Sequence, residues 1–441
     1  MEPSALLKHK GADQVNLFDM IKYIQESKLA FKIESYAAHL EEQGGATAKS
    51  PGPVLHSVAS FLLALTNLSN EGRIFFERSG PPSPGVKLSY LLLSPTHAFS
   101  SIASSARAVI LAGGTMSPFD DYKAHLFPGH VPNKITTLSC THVIPPSSIC
   151  VWTLGSFSPS TSHQADTFEF SFQKRGNRGM IQKLGASVLN ICSVVPDGVV
   201  VFFPSYGYLD EVVTVWQTPD GQGNAKSVWE RLLAKKSVFR ESKNGATDGV
   251  LEEYSKAILG EDGVVKPSTA ASGPRGALLL SVVGGKMSEG INFSDRLGRC
   301  VIIVGLPYPN INSPEWKARI EYIESTTVTR LTSATAGSDS GLRGKPMARD
   351  EALVAAKQAA RDFYENACMR AVNQSIGRAI RHRGDYAAIV LVDVRFGSER
   401  IRGKLPGWIR SGMVEGSEKK GIPGLMGALT GFFRKKNVPM S

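Results

Sequence analysis

The chain has 441 residues, enough for two or three domains, and its formal net charge of +11 weakly favours an anionic partner such as nucleic acid or a nucleotide. Its five cysteines include no C-x-x-C pair, which argues against a disulfide framework or a compact metal or iron–sulfur site and predicts buried thiols instead. The sequence has neither a leader pattern nor an apolar run near the ~20 residues that a membrane-spanning helix needs, so we expect a soluble intracellular protein with no membrane partner.

The N-terminal part reads as a mixture of helices and short strands. Leu17, Met20, Ile21 and Ile24 have the spacing of an apolar helix face. A second helix and two strands are expected at 54–68, 74–76 and 88–93. This part has the pattern of the end of a larger domain.

An apolar run at 106–111 predicts a buried strand, which leads into the small-residue loop Ala112–Pro118. Small residues and a hydroxyl at the end of such a strand are typical of ligand-responsive loops in α/β sheets, although an ordinary glycine turn has the same pattern. Residues 119–165 are irregular and rich in proline, serine and threonine, which indicates a linker.

From about Phe168 the chain alternates between helical and strand patterns. Continuous apolar runs predict buried strands at 198–203, 276–283, 300–304 and 387–392. Strands that alternate with helices predict an α/β fold with a doubly wound parallel sheet. The glycine-rich end of the chain reads as a flexible basic tail.

The loop Gly284–Phe293 follows the second of these strands, so we expect it at the carboxyl edge of the sheet, where α/β proteins bind ligands. It is not a phosphate-binding P-loop, because Leu280 and Met287 stand where that motif needs glycine and a hydroxyl. Asp350 opens a helix with no strand before it, and reads as a helix cap rather than a magnesium ligand. The sequence thus offers neither a phosphate cradle nor a strand-borne magnesium carboxylate.

Gln374, Arg378 and Arg381 are spaced by four and then three residues, which places them on one face if the segment is helical. A guanidinium is always charged and can bind two phosphate oxygens at once, so such a row suits a polyanion. A solvated basic helix end would give the same pattern.

Five stretches, in this order along the chain, resemble motifs of the XPD-like, iron–sulfur DEAH group of superfamily 2 helicases. They are 113–118 (motif III), 199–206 (motif IV), 285–293 (motif V), 374–381 (motif VI) and the end signature 402–409. Asn292 and the stretch Gly305–Asn310 are similar to the chromosome-loss, sister-chromatid-cohesion (ChlR) branch of that group.

The resemblance implies a RecA-like architecture with four parts. These are the end of the first motor domain (1–118), a linker (119–165), the second RecA-like domain (166–412) and the tail (413–441). The Walker A loop, the DEAH box and the four cluster-binding cysteines of the group do not occur in this sequence. We therefore expect a C-terminal half that is inactive as an ATPase by itself, and whose iron–sulfur cluster has no ligands in this chain.

The resemblance also implies roles for individual residues. Arg378 and Arg381 would be arginine fingers, and Gln374 would contact phosphate or the attacking water. The implied nucleotide-binding residues are Gly285, Glu289, Gly290, Asn292 and Gly377, and those that contact DNA or couple it to ATP are Thr115, Ser117, Ser205 and Tyr206. Simpler roles stay open, since Thr115 and Ser205 could only cap helices and Tyr206 could only pack.

The function implied is that of an ATP-dependent DNA helicase in the nucleus, with magnesium and ATP. It would act on single-stranded or forked DNA in chromosome cohesion or DNA repair, with cohesion or replication proteins as partners. Two alternatives stay open: a non-catalytic module that binds nucleic acid or a partner protein, and a motor that acts on RNA.

Overall fold

The computed structural model describes residues 1–9, 11–44, 54–79, 85–128, 132–140, 144–159, 166–219, 226–243, 245, 247–260, 275–290, 293–333 and 346–436. Contacts divide the chain into two compact units. The hairpin unit comprises residues 1–109, 122–132 and 310–362, and the sheet unit comprises 110–121, 133–309 and 363–441.

Helices and strands are numbered in chain order. The helices are α1 Pro3–His9, α2 Leu17–Glu26, α3 Leu29–Gly44, α4 Val54–Leu65, α5 Thr96–Ser105, α6 Asp120–Leu126, α7 Arg178–Val194, α8 Tyr206–Gln217, α9 Val228–Leu233, α10 Thr247–Leu259, α11 Lys286–Gly290, α12 Pro314–Thr332, α13 Arg349–Ile376, α14 Glu399–Arg402, α15 Gly407–Ser411 and α16 Gly421–Lys436. The strands are β1 Gly72–Ser79, β2 Gly85–Leu92, β3 Ile149–Leu154, β4 Gly198–Phe203, β5 Ser237–Arg240, β6 Ala277–Val282, β7 Cys300–Val304 and β8 Ala387–Val392.

In the sheet unit, the described strands form one six-stranded sheet in the order β3-β8-β7-β4-β6-β5. Every pair of neighbours is parallel. This confirms the predicted α/β fold with a doubly wound parallel sheet. The four strands expected from apolar runs are β4, β6, β7 and β8, and all their residues are buried.

Both faces of the sheet are covered by helices. Because successive strand residues point to opposite faces, alternate residues of β4 enter two different apolar clusters. One cluster includes residues of α7, α8 and α16, and the other includes residues of α10, α13 and α15. A strand buried on both faces needs apolar residues at every position, which is why these strands are continuous apolar runs.

Three expectations about structure outside this core were wrong. The expected linker contains β3, which pairs with β8 along its whole length. The expected flexible tail contains α16, whose Leu425, Leu429 and Phe433 recur every four residues and are buried in the first cluster. No strand forms at 106–111, where Ile110 is 88% exposed. Among the described residues no neighbouring strand pairs with this segment, and an unpaired strand leaves its backbone groups without partners.

The hairpin unit contains the antiparallel pair β1–β2 and the helices α1 to α5 and α12. The predicted helix face is partly confirmed, since Ile21 and Ile24 are buried whereas Met20 is 38% exposed. The strands expected at 74–76 and 88–93 coincide with β1 and β2. Within the residues that the structure covers, no helix combines the length and the apolar character needed to cross a membrane.

The packing of α16 can be tested with Leu429→Ala. Leu429 is fully buried, so we expect the substitution to lower the free energy of unfolding by about 2–5 kcal/mol, as is typical of buried leucines. Arg434→Ala, an exposed position on the same helix, is the control and should change little. Urea unfolding of the purified chain measures both, and equal midpoints for the two variants would contradict a buried α16.

Candidate functional site

The first group of predicted site residues lies at the carboxyl edge of the sheet. Ser205 and Tyr206 follow β4, and Gly285 follows β6. These two strands are direct neighbours, and β5 lies beside β6. The sequence analysis expected the loop after β6 at this edge, and the structure confirms that placement.

A buried carboxylate connects these loops. Glu241, which directly follows β5, is only 3% exposed. Its Oε2 accepts hydrogen bonds from Ser281 Oγ at 2.6 Å and from the Val282 backbone N–H at 3.1 Å. Its Oε1 accepts from the Tyr206 hydroxyl at 2.7 Å and the Met287 backbone N–H at 3.3 Å. Burial of a carboxylate is costly unless such donors replace water, so Glu241 fixes the three strand ends relative to one another.

Tyr206 and Ser205 both have structural partners. Burial, together with the hydrogen bond to the Glu241 carboxylate, raises the pKa of Tyr206 to about 12, so the phenol stays a neutral donor. Its ring packs beside the first apolar cluster. Ser205 is the N-cap of α8, and its Oγ accepts from the Tyr208 backbone N–H at 3.2 Å. The simpler roles considered for these residues, packing and capping, are therefore present.

Gly285 lies where a side chain would collide with this network. A Cβ atom there would be 2.6 Å from Glu241 Oε1 and 2.8 Å from the Tyr206 hydroxyl oxygen. Both distances are shorter than ordinary contacts, and the Glu241 carboxylate is held by four donors and cannot move away freely. The close approach of the loop after β6 to Tyr206 thus requires glycine at this position.

The second group of predicted residues surrounds the end of α13. The helix ends at Ile376, so Gln374 is helical, whereas Arg378 lies in a turn and Arg381 lies beyond it. The expectation that one helix carries all three was wrong. Backbone hydrogen bonds shift to the tighter i to i−3 pattern after Gly377, with Ala379 N–H donating to the Ile376 carbonyl at 3.1 Å. Arg378 is half-buried, and Gln374 and Arg381 are exposed.

The loop that carries both arginines leads directly into the amino end of β8 and is held there by a buried ion pair. Arg299, which precedes β7, donates to Asp385 Oδ1 at 3.0 Å and stacks on the Tyr386 ring at 3.8 Å. The two charged side chains are 8% and 0% exposed. Because this anchor lies at the amino ends of β7 and β8, the arginine loop and the Glu241 network occupy opposite edges of the sheet.

Asp295, His382 and Asp385 are of metal-ligand type, and one ligand atom of each lies within 4.8 Å of the others. Hydrogen bonds account for the group, however. His382 Nε2 and Asp295 Oδ1 are 2.8 Å apart, and Asp385 is paired with Arg299. We assign no metal to these residues.

Thr115 and Ser117 lie against the end of α13. A Cβ atom on Gly377 would be 3.1 Å from Thr115 Cγ2, and the Ser117 carbonyl accepts a hydrogen bond from Asn373 Nδ2 at 3.3 Å. Two stretches that are far apart in sequence are therefore neighbours in the structure.

The remaining predicted residues are described in part or not at all. Glu289 and Gly290 belong to α11, but only their backbone is described. Asn292 lies outside the described residues. The structure therefore brings together two sets, Ser205, Tyr206 and Gly285 on one edge and Thr115, Ser117 and Gly377 beside the arginine loop on the other.

Four of the five cysteines lie within the apolar clusters that cover the two faces of the sheet. Cys150, Cys192, Cys300 and Cys368 are buried. Burial raises the pKa of Cys150 to about 11 and that of Cys192 to about 12, so these thiols stay protonated. They pack as small apolar side chains, and no chemical step is assigned to them.

Glu241 and Asn373 were both missed by the sequence analysis. A charged residue directly after a short strand such as β5 is a signal for an edge site, but β5 is too short to be recognised from its pattern. Asn373 immediately precedes Gln374 and is 1% exposed. Its burial depends on the loop 115–121, so no local pattern could have identified it.

Gly285→Ala tests the contact between the loop after β6 and the Glu241 network. The added methyl group must displace Glu241 or Tyr206, so we expect the free energy of unfolding to fall by about 1–3 kcal/mol, the usual cost of overpacking. Gly207→Ala is the matched control, because a Cβ atom there meets nothing within 4 Å. Chemical denaturation of both variants checks this, and a loss no greater than that of the control would refute the close approach.

Comparison with known proteins gives the chain's family. A family model described as "Helicase C-terminal domain" matches residues 188–412, just over half of the chain. This match includes β4, the loop after β6 and the arginine loop.

Relatives match nearly the whole chain. The ATP-dependent DNA helicase chl1 of Neurospora crassa is 54% identical across 99% of this chain and 45% of its own length. The CHL1 helicase of Sclerotinia sclerotiorum is 45% identical across 98% of this chain and 51% of its own length. The chain thus spans about half the length of the curated relatives it matches. A solved structure of S. tokodaii Xpd4 is a weaker likeness, with a TM-score of 0.40 and 16% identity over 82% of this chain and 55% of that one. The chain belongs to the family of helicase C-terminal domains, and its similarity to chl1 helicases confirms the chromosome-loss branch predicted from its motifs.

Proposed function

We propose that this chain supplies the second motor domain of an ATP-dependent DNA helicase. The observation that carries the proposal is the arginine loop, which holds Arg378 and Arg381 between the end of α13 and the buried Arg299–Asp385 pair. A rigidly anchored loop with two guanidiniums suits a triphosphate, because catalysis of phosphoryl transfer depends on positioned positive charge.

In this proposal Arg378 and Arg381 stabilise the negative charge that develops on the transferred phosphoryl group, and Gln374 orients phosphate or the attacking water. Magnesium-bound ATP is the substrate whose terminal phosphoanhydride bond is broken. Gly377 gives the loop its close contact with Thr115. Glu289, Gly290 and Asn292 are further proposed nucleotide contacts, whereas Gly285 lies with Glu241 and Tyr206 at the opposite edge of the sheet from the arginine loop.

The carboxyl edge is the proposed DNA contact. Ser205 and Tyr206 lie there together, and stacking of bases on an aromatic ring is a common way to hold single strands without reading their sequence. The net charge of +11 favours the same polyanion. Thr115 and Ser117, beside the arginine loop, would relay between the nucleotide state and the grip on DNA.

The wider role follows the relatives, whose names describe ATP-dependent DNA helicases. We propose that the protein acts in the nucleus on single-stranded or forked DNA. Chromosome cohesion and DNA repair, with cohesion or replication proteins as partners, are the processes that the chromosome-loss branch suggests.

A second candidate is a non-catalytic module that binds nucleic acid or a partner protein. It is favoured by one observation, namely that no G-x-x-x-x-G-K-[ST] pattern occurs in this sequence. Without a phosphate cradle, the arginine loop would face a nucleotide site that this chain does not complete.

Removal of either finger should abolish ATP turnover by the full-length protein that contains this chain. We expect Arg378→Ala and Arg381→Ala each to reduce DNA-stimulated turnover by about 10³–10⁵-fold, the range found for arginine fingers. Arg383→Ala, an exposed arginine of the same stretch, is the control and should keep most of the activity. Turnover at the unmodified rate in both finger variants would rule out these roles.

The 441-residue chain alone should hydrolyse no ATP, because it lacks the phosphate cradle, yet it should bind single-stranded DNA. We expect binding to weaken steeply between low and physiological salt. Each neutralised phosphate on a single strand contributes about −0.7 to the slope of the logarithm of the binding constant against the logarithm of the salt concentration. Measurements with DNA and RNA strands of equal length separate a DNA motor from an RNA motor. Robust turnover would refute the expectation that the chain is inactive without a phosphate cradle. No binding of DNA or RNA at low salt would argue against the motor domain and against a nucleic-acid-binding module, and would leave a module that binds a partner protein.

A further inference from the structure

One face of α13 is polar and holds a segment from a distant part of the chain. Asn366, Arg370, Asn373 and Gly377 follow the spacing i, i+4, i+7 and i+11, which places them in a row along one side of the helix axis. This row differs from the row formed by Gln374, Arg378 and Arg381. Gln374 and Arg378 each lie one residue after a member of it, namely after Asn373 and Gly377.

Each member of this row contacts the segment 115–121, in reversed order. Asp121 accepts hydrogen bonds from Asn366 Nδ2 at 2.9 Å and from Arg370 Nη2. Further along the helix, Asn373 donates to the Ser117 carbonyl. Gly377 packs against Thr115. The segment therefore runs antiparallel to the last turns of α13, from Asp121 at one end to Thr115 beside the arginine loop.

These contacts are shielded from water, which strengthens them. The Asp121 side chain is 12% exposed and that of Arg370 is 28% exposed, and Asn366 is 4% exposed. Lys404, in the end signature 402–409, also contacts this row. The Lys404 ammonium group donates to Asn366 Oδ1, and the Lys404 backbone carbonyl accepts a hydrogen bond from Asn373 Nδ2. A buried charge-assisted pair of this kind is a strong interaction with a defined geometry.

We propose that this row is a clamp that holds the segment 112–121 on α13, and that Asp121 and Arg370 act in it as positioning residues for Arg378 and Arg381. The proposal deepens the proposed function and rests on it for the identity of the fingers. A helix transmits displacement along its axis, so a shift of the clamped segment reaches Gly377 and the arginine loop directly. The clamp thereby links the state of Thr115 and Ser117 to the position of the fingers.

Asn373 shows why the clamp can open. Its Oδ1 atom is buried and has no hydrogen-bond partner among the residues that the structure describes. A buried acceptor without a donor disfavours the arrangement that contains it, so Asn373 partly offsets the stability that the Asp121–Arg370 pair gives to the closed clamp. A coupling element requires that property, because both of its arrangements must be accessible.

Hydrogen–deuterium exchange of the purified 441-residue chain tests the clamp itself. We expect Asp121→Asn and Arg370→Gln each to speed the amide exchange of residues 112–121 by about tenfold, since each removes a charged partner. Arg361→Gln, an exposed arginine of the same helix, is the matched control and should leave that exchange unchanged. The double variant Asp121→Arg with Arg370→Asp reverses the pair and should restore most of the protection. Unchanged exchange in both single variants, or a double variant no slower than the single ones, would overturn the clamp.

Coupling to the fingers is tested in the full-length protein by ATP turnover with and without single-stranded DNA. We expect Asp121→Asn to lower DNA-stimulated turnover about tenfold more than it lowers unstimulated turnover, and the reversed pair to restore the ratio of the two rates. A purely structural role would lower both rates in parallel and would overturn the coupling. If the proposed function is wrong, the unmodified protein will show no DNA-stimulated turnover. The hydrogen–deuterium exchange experiment does not depend on turnover, so it still decides whether the clamp exists.

Discussion

The structure of the sheet unit depends on one constraint, which is that an all-parallel sheet must be covered on both faces. Its strands are buried throughout, and apolar clusters on each side are completed by α7, α8 and α16 or by α10 and α13. With both faces occupied, polar side chains are left with the two edges, where strands end and begin. The candidate site residues are accordingly found at those edges.

Each edge is organised by a buried charge. At the carboxyl edge the Glu241 carboxylate receives four hydrogen bonds from the ends of β4 and β6 and from α11, and this fixes Tyr206 close to Gly285. At the amino edge the Arg299–Asp385 pair anchors the loop that carries Arg378 and Arg381. A buried charge is tolerated only with such complete compensation, so both loops are held in defined positions. Defined positions are what the proposed contacts with DNA and triphosphate require.

Helix α13 contacts the apolar core, the segment with Thr115 and Ser117, and the arginine loop. Its apolar face, with Met369, Val372 and Ile376, belongs to the second apolar cluster. Its polar row holds the segment that contains Thr115 and Ser117, and its end leads into the arginine loop. One rigid element therefore contacts the core, the segment proposed to sense the nucleotide state and the proposed fingers. This arrangement gives a physical route by which binding at one place would change geometry at another.

The fold class, the four central strands and the motifs could be predicted from the amino-acid sequence. A strand buried on both faces must be apolar along its whole length, and this pattern is local. The sequence did not reveal β3 within a stretch rich in proline and serine, or α16 within a glycine-rich one, because only packing against the sheet makes these segments regular. It predicted Arg378 and Arg381 on a helix, whereas that helix ends before them at Ile376. The contacts of Glu241 with the loops after β4 and β6, and of Asp121 with Arg370, became apparent only from the folded chain. Both contacts join residues far apart in the chain, and no local pattern encodes a partner at that distance.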